Sequence, residues 1–167
     1  MNLSRLDKVH LQLTNYVRNL DDSLFARRAA ENEWSVAEVV QHLSLVEDRV
    51  LVSLAKNIAL EPVKIPLRKR LIPMRIIAYR FFRVEAPKAV RPVESACREV
   101  LLEQYEQVRS RTKDFCSQHS AKRLQQTAFI HPFLGQIDGT AAISMVAFHE
   151  LRHLKQIREI VSKLQRK

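Results

Sequence analysis

Four stretches of this chain repeat apolar residues at steps of three and four, which is the spacing of one face of an α-helix. The four stripes cover residues 3–24, 39–54, 97–115 and 142–160. Turn-rich β folds need glycine at many positions, whereas the 167 residues of this chain include only 2 glycines. The sequence therefore predicts an all-α fold that is built from a few long helices.

Local signals place the ends of these helices. Ser35 followed by Glu38 forms a capping box, which predicts that the second helix begins at Ser35, and Pro62 predicts that it ends near Leu60. The third helix is expected to follow Pro92, and the fourth to start near Asp138, a good N-cap residue. Residues 119–137 are interpreted as a loop. We expect a single domain over residues 1–167, folded as an antiparallel four-helix bundle with a long crossover between helices two and three.

The expected crossover, residues 62–92, is strongly basic. The window from Pro62 to Val93 holds nine cationic side chains and one acidic side chain, Glu85, and so carries +8 of the net charge of +10. Five prolines exclude one long helix there, and residues 74–83 are expected to form a short helix or an apolar segment against the bundle. The cations are Lys64, Arg68, Lys69, Arg70, Arg75, Arg80, Arg83, Lys88 and Arg91.

The two cysteines and the N-terminal sequence predict a reducing location. Cys97 and Cys116 fall in one predicted helix, too far apart along its axis for a disulfide. Charges interrupt the N-terminal apolar residues, so no signal peptide is recognised, and no apolar run reaches the length of a membrane span. We expect a cytoplasmic protein.

The histidines carry the main chemical signal. His149 and His153 lie at positions i and i+4 of the fourth predicted helix, within an H-E-x-x-H sequence, so both imidazoles can reach one ion. This spacing often arises by chance. However, both residues lie on the core-facing stripe, and His42 lies near the inward stripe of the second helix. Either the three imidazoles share a divalent ion, or each is hydrogen-bonded separately in the core.

The other polar residues near these positions are interpreted mainly as structural residues. His131 is expected to cap the fourth helix or shape a cavity, with a direct role in the site as the less favoured alternative. His10 is expected to be a hydrogen-bonded core residue, with lining of the cavity as the less favoured alternative. Gln156 is expected to hydrogen-bond within the core. Glu150 is interpreted as a group that supports the metal ligands or as a surface partner. A zinc protease would use it as a general base, but only fourteen residues follow His153 and the sheet typical of such proteases is missing.

Three short motifs occur in an order that resembles the DinB/YfiT-like superfamily. They are Trp34-Ser35-Val36-Ala37-Glu38 with His42-Leu43, then His131-Pro132-Phe133-Leu134-Gly135, and finally His149-Glu150-Leu151-Arg152-His153 with Gln156-Ile157. The resemblance implies a four-helix bundle that holds a divalent metal ion, zinc or nickel, through His42, His149 and His153. It also implies a possible homodimer. The basic crossover is larger than the resemblance leads us to expect.

A three-histidine site leaves at least one coordination position open, which is typical of catalytic metal sites. Such an ion activates a bound water for hydrolysis or a bound thiol for S-transfer. The resemblance favours an S-transferase that uses a low-molecular-weight thiol as cosubstrate with a small-molecule substrate. The alternatives are a metal-dependent hydrolase and a protein that binds metal for stability alone.

The basic crossover supports a hypothesis of another class. Its cations are interleaved with Tyr79, Phe81 and Phe82, a composition that suits nucleic acid or an anionic membrane surface. The simpler interpretation is that the aliphatic parts of Arg and Lys side chains cover apolar surface while their charges stay in water.

Overall fold

Four long helices form the body of the protein in a computed structural model, which describes residues 3–66, 73–79, 85–93 and 96–166. They are α1 (Ser4–Arg18), α3 (Val36–Ile58), α4 (Arg98–Gln118) and α6 (Gly139–Gln165). The shorter elements are α2 (Asp22–Phe25), α5 (Ala121–Gln125), the strands β1 (Ala128–His131) and β2 (Gly135–Asp138), and two 3-10 turns, Met74–Ala78 and Lys88–Val90. The predicted four-helix bundle is thus confirmed.

The first stripe is not one helix, contrary to the prediction. α1 ends at Arg18, where the backbone amide of Asn19 donates to the Asn15 carbonyl and the amide of Leu20 donates to the Val17 carbonyl. Asp21 is extended, and α2 then starts a new direction. Leu24 is buried nevertheless, because α2 folds onto the same apolar core. The helical spacing therefore continued across a break that the pattern could not show.

The starts of α3 and α6 lie where the sequence signals placed them. The Ser35 side chain accepts from the backbone amide of Glu38, and the Glu38 carboxylate accepts from the amide of Ser35, which completes the capping box. Asp138 Oδ1 accepts from the amide of Ala141 at 2.9 Å and caps α6. These caps position the two helices that carry the three candidate histidines.

The segment expected as a loop holds a short helix and a β-hairpin. β1 pairs with β2 in antiparallel register, with His131 opposite Gly135. Gly135 has φ of 66°, a conformation that favours glycine, so it can close the three-residue connection. Phe129 and Ile137 face each other in the register and are both buried, which anchors the hairpin. Strands of four residues are too short for their alternation to stand out in the sequence.

The described parts of the crossover pack against the bundle. The Met74–Ala78 turn contacts α6, and Met74 and Ala78 are buried there, while Val90 packs near α3. Several predicted cations and aromatic residues lie outside the described residues, namely Arg68, Lys69, Arg70, Arg80, Phe81, Phe82 and Arg83. Within the described part of the chain, no helix has the length and hydropathy that a membrane span requires.

A polar layer separates two apolar clusters in the core. One cluster contains Leu13, Leu43, Tyr105 and Leu154, and the other contains Leu6, Val50, Phe115 and Ala147. Each long helix contributes to both clusters and places a buried polar residue between its two contributions. These residues are His10 on α1, Glu47 on α3, Arg109 on α4 and Glu150 on α6.

Arg109 joins the polar layer together. Its Nε and Nη2 donate to the two carboxylate oxygens of Glu47, each at 2.8 Å, and Nη2 lies 2.9 Å from Glu150 Oε1. Its Nη1 donates to the Leu6 carbonyl at 2.9 Å. Burial acts to lower the pKa of Arg109, but Glu150 and Glu47 outweigh burial and raise the pKa above its ordinary value. The guanidinium therefore stays charged and links α1, α3, α4 and α6.

Replacing Arg109 should destabilise the fold strongly. In Arg109→Met, Glu47 and Glu150 stay buried without their counter-charge, and we expect the free energy of unfolding to fall by about 3–5 kcal/mol. Arg111→Met is the matched control on the same helix, because the Arg111–Asp48 pair is exposed and such pairs contribute less than about 1 kcal/mol. Urea unfolding of both variants measures the difference. Equal losses would contradict the assigned role of Arg109.

Candidate metal centre

The fold brings the three predicted histidines together. His42 lies in the second turn of α3, and His149 and His153 are one turn apart on α6. One nitrogen from each ring forms a group whose members all lie within 4.8 Å of one another. The Nε2 atoms of His149 and His153 are 3.1 Å apart. Among the described residues this is the one such cluster of His, Cys, Asp or Glu side chains.

Hydrogen bonds fix the ring protons of two of these histidines. The Nδ1 atom of His42 lies 2.7 Å from the Val90 carbonyl oxygen, which can only accept, so Nδ1 must donate. The Nδ1 atom of His153 donates in the same way to Gln156 Oε1 at 2.8 Å. In a neutral imidazole the other nitrogen then carries a lone pair. Both Nε2 atoms are therefore available as metal ligands.

The three imidazoles are held in the neutral form. Burial lowers the pKa of His42, although its hydrogen bond to Val90 opposes this. Burial also lowers the pKa of His149 to about 3, with further contributions from His42, Arg152 and His131. The pKa of His153 is well below its ordinary value, because of burial first and then of the neighbouring His149 and His42. Neutral imidazole is the form that binds metal ions.

Side chains and backbone from outside α3 and α6 surround the cluster. The Trp34 ring lies 4.9 Å from the His42 ring, centroid to centroid. The 3-10 turn Lys88–Val90 supplies the carbonyl that orients His42. Arg152, between the two histidines of α6, donates to the Tyr79 carbonyl at the end of the other 3-10 turn. The crossover thus takes part in building the site.

Glu150 is not a surface residue, which corrects one of its two interpretations. It is 1% exposed and belongs to the polar layer. Its Oε1 accepts from the Tyr105 hydroxyl and lies 3.1 Å from His10 Nδ1. Burial and the Glu150 charge raise the pKa of Tyr105 well above its ordinary value, so Tyr105 stays a donor. No hydrogen bond links Glu150 to a candidate ligand within the described residues, and its structural partners leave it poorly placed as a base.

His10 is a hydrogen-bonded core residue, as expected. Its ring lies between two carboxylates, with Nδ1 3.1 Å from Glu150 and Nε2 3.1 Å from Glu106. His131 does not cap α6, because Asp138 does. Instead, His131 Nδ1 accepts from the amides of Phe133 and Leu134, each at 3.1 Å. His10 therefore belongs to the polar layer and His131 to the hairpin turn.

The cysteines stand apart from the cluster. Cys97 is exposed just before α4, and Cys116 is buried near its end. Burial raises the pKa of Cys116 to about 11, so its thiol stays protonated and is a poor nucleophile. Both are free thiols, as the sequence predicted.

The donor set fits a first-row divalent ion. At a zinc–nitrogen distance of 2.0–2.1 Å, two ligands of a tetrahedral ion stand about 3.3 Å apart, close to the 3.1 Å between His149 and His153 Nε2. Imidazole nitrogen suits zinc, nickel, copper and iron alike. No carboxylate belongs to the described cluster, so a bound ion would keep nearly its full positive charge.

Sequence reasoning found one of the groups that support the three histidines, because Gln156 was expected to hydrogen-bond within the core and accepts from His153. It did not find the others. The Val90 carbonyl is 48 residues from His42, and a backbone atom carries no sequence signal. Glu47 and Arg109, which pair in the polar layer next to the histidines, did carry a sequence signal. Glu47 is four residues after Leu43 and three before Val50 on the inward stripe of α3, and Arg109 is four residues after Tyr105. A charged residue at a core-facing position requires a buried partner.

Comparisons with known proteins agree on a family and a fold. The model of the DinB superfamily matches residues 5–157. YuaE of Bacillus subtilis (strain 168), an uncharacterized protein, is 22% identical over 165 residues, which span 98% of this chain and 99% of YuaE.

Two solved structures share the fold. YfiT from Bacillus subtilis, described as a probable metal-dependent hydrolase with an unusual four-helix bundle topology, has a TM-score of 0.68 and 17% identity. The match covers 98% of this chain and 85% of YfiT. TT2238, described as a four-helix bundle protein, has a TM-score of 0.63 and 20% identity, over 94% of this chain and 95% of TT2238.

The buried neutral histidines should make the metal-free protein sensitive to acid. The pKa of His149 is 6.5 in the unfolded chain and about 3 in the folded one. At a pH between these two values, His149 therefore binds a proton in the unfolded chain but not in the folded one. The free energy of unfolding therefore falls as pH drops below 6.5, by up to about 1.4 kcal/mol per pH unit for each such histidine. His149→Gln should reduce the slope of the free energy of unfolding against pH, measured by urea unfolding with a chelator present. Identical slopes for the variant and the wild type would contradict the assignment of this acid sensitivity to His149.

Proposed function

This chain belongs to the DinB superfamily, and we propose that it is a metal-dependent enzyme whose His42, His149 and His153 hold one divalent ion. One observation carries the proposal. Three neutral imidazoles offer nitrogens within 4.8 Å of one another, and two of them have their other nitrogen committed to an acceptor. A core that needed only hydrogen-bonded histidines would not need to bring them together.

The proposed ion is zinc or nickel, the two ions that the resemblance to the DinB/YfiT-like superfamily implies, and three imidazole ligands suit both. When bound, it would lower the pKa of a coordinated water or thiol and so supply a nucleophile near neutral pH. The chain's own residues hold and orient the ligands. The Val90 carbonyl and Gln156 fix the ring protons of His42 and His153. Trp34 packs beside His42, with the two ring centroids 4.9 Å apart.

We propose S-transfer from a low-molecular-weight thiol to a small electrophilic substrate as the reaction. The thiol would lose its proton to solvent, its sulfur would bond to the electrophilic carbon, and the substrate's leaving group would depart with the electron pair of the broken bond. Since the three ligands are neutral and no carboxylate joins them, the site favours an anionic ligand such as a thiolate. The protein supplies no nucleophile of its own among the described residues near the cluster, since Glu150 is engaged in the polar layer and both cysteines lie elsewhere. The nucleophile would therefore come from a cosubstrate or from water.

Hydrolysis is the second candidate, and one finding favours it. YfiT, which shares the fold, is described as a probable metal-dependent hydrolase. The two reactions differ only in whether thiol or water occupies the open position. Metal-loaded protein assayed on ester, amide and alkyl-halide substrates, with and without a thiol such as cysteine, separates them. Turnover that requires the thiol supports transfer, and turnover without it supports hydrolysis.

Metal content tests the site itself. Untagged wild-type protein should carry close to one transition-metal ion per chain by elemental mass spectrometry, because three imidazole nitrogens lie within 4.8 Å of one another. His153→Ala should lose the ion, since two ligands seldom hold a divalent ion tightly. His119→Ala is the control, because the His119 ring hydrogen-bonds to the Phe115 carbonyl, outside the cluster. A wild type that stays metal-free after reconstitution would contradict the proposed metal site.

Gln156 should tune the affinity for the ion without being a ligand. In Gln156→Leu, His153 loses the acceptor that fixes its ring proton, and we expect the Kd for zinc to rise about 10–100-fold at unchanged stoichiometry. Gln156→Glu retains an acceptor at this position and should bind zinc at least as tightly as the wild type. Competition titration against a chromophoric chelator gives both values. If Gln156→Leu binds zinc with wild-type affinity, Gln156 does not support the metal ligands.

A further inference from the structure

We infer that Gln41 is a positioning residue of the proposed metal centre, because it fastens the crossover end, residues 85–93, to α3 and so holds the Val90 carbonyl on His42. The inference rests on the proposed function and extends it, since occupancy of the metal centre and attachment of the crossover end should then stabilise each other. Gln41 acts through His42 and does not itself belong to the ligand cluster.

Two consecutive residues of α3 each bind the crossover end once. The Oε1 atom of Gln41 accepts from the Val93 backbone amide at 3.1 Å, and His42 Nδ1 donates to the Val90 carbonyl at 2.7 Å. Because one bond is accepted by α3 and the other is donated by it, a slip of the segment along the helix would break both. The Val90 side chain is buried as well, in a turn that contacts α3.

The link between these two attachments is short and stiff. Arg91 is extended, with φ of −76° and ψ of 137°, which is the conformation that a following proline favours. Pro92 has a fixed φ and no backbone N–H, so the next backbone donor after Arg91 is Val93. The bond from Val93 to Gln41 therefore restrains the position of the Val90 carbonyl.

Hydrogen bonds within the crossover end keep it together as one piece. The amides of Val90 and Arg91 donate to the carbonyls of Pro87 and Lys88 at 3.0 and 3.3 Å, and Arg91 Nε donates to the Ala86 carbonyl at 2.8 Å. These bonds are local, whereas the two attachments to α3 join residues that are 48 and 52 positions apart. Local opening can therefore release the segment from α3 as a unit.

The ring of His42 links metal affinity to this attachment. An acceptor on the second nitrogen of a ligating histidine orients the ring and makes it more basic, and its loss lowers metal affinity about 10–100-fold. The released state lacks the Val90 acceptor, so it should bind an ion more weakly by that factor. Linkage is reciprocal, and a bound ion must favour the attached state by the same factor.

Hydrogen exchange at the Val93 amide tests this coupling without an assay of turnover. In the full chain, saturating zinc should slow the exchange of this amide about 10–100-fold, because zinc favours the attached state. The Val63 amide is the control, since it donates to the Gln126 carbonyl at 2.8 Å and makes no contact with the crossover end. It should exchange at the same rate with and without zinc. Equal slowing at both amides would report a general stabilisation and would count against the coupling.

Gln41→Leu tests the positioning role itself. The variant lacks the acceptor for the Val93 amide, and we expect its Kd for zinc to rise about 5-fold, the loss of one hydrogen bond, at unchanged stoichiometry. Gln41→Glu retains an acceptor and should rescue the affinity. Competition titration against a chromophoric chelator gives the Kd values.

Asn57→Leu is the matched control on the same helix. Asn57 Nδ2 donates to the Ala128 carbonyl at 2.8 Å, about 22 Å further along α3 than His42 at the helical rise per residue. This variant also loses one hydrogen bond between α3 and another segment, so it should lose comparable stability in urea unfolding. Its Kd for zinc should equal that of the wild type, which separates positioning from a general loss of stability.

The outcomes distinguish this inference from the proposed function. A wild type that binds zinc but exchanges the Val93 amide equally fast with and without it would overturn the inference and leave the metal centre standing. Equal Kd values for Gln41→Leu and the wild type would do the same. A wild type that binds no zinc would overturn the proposed function, and this inference with it. If Gln41→Leu does not fold, the exchange measurement on the wild type decides alone.

Discussion

The buried ion pair between Arg109 and Glu47, extended to Glu150, is the interaction on which the rest of the structure depends. It lies between two apolar clusters that could slide or rotate past each other if only apolar contacts held them, because hydrophobic packing has little direction. Charge-assisted hydrogen bonds do have direction. Arg109 donates to α3 and to the backbone of α1, and it approaches Glu150 of α6. A rotation of any of these helices would leave a buried charge unpaired.

This constraint also sets the geometry of the histidine cluster. Glu47 is five residues after His42 on α3, and Glu150 is the neighbour of His149 on α6. When the two carboxylates are held by one guanidinium, the rotations of both helices are fixed, and the histidines on their adjacent faces come within reach of one ion. The fold thus uses one polar layer to hold the helices and places the three-histidine cluster next to that layer.

The sequence H-E-x-x-H shows how tertiary context changes the meaning of a motif. In zinc proteases the glutamate of this motif is the general base. In this bundle the glutamate turns into the core, where Tyr105, His10 and Arg109 hold one of its oxygens. The third histidine, His42, lies on α3, far before the motif in sequence, whereas the third ligand of a zinc protease usually follows the motif. Glu150 is therefore held in the polar layer, and in this bundle it does not occupy the place of the protease general base.

The sequence by itself determined the local features. The helical periods, the capping box at Ser35, the cap at Asp138 and the i, i+4 pair of His149 and His153 all depend on residues within one or two turns of each other. The four-helix class was predictable for the same reason. His42 was singled out by its place near the inward stripe of the second helix, and the resemblance to a known family implied that it shares one ion with His149 and His153.

Only the tertiary structure decided how these pieces meet. The break after Arg18, the hairpin at 128–138, the Val90 carbonyl on His42 and the Arg109 network depend on contacts between residues far apart in the chain. A periodic pattern indicates which face of a helix is buried but not what it is buried against. The direction of a donor or acceptor, such as Glu150 turned to the core and His42 Nδ1 turned to the Val90 carbonyl, exists only once the packing has fixed the rotation of each element.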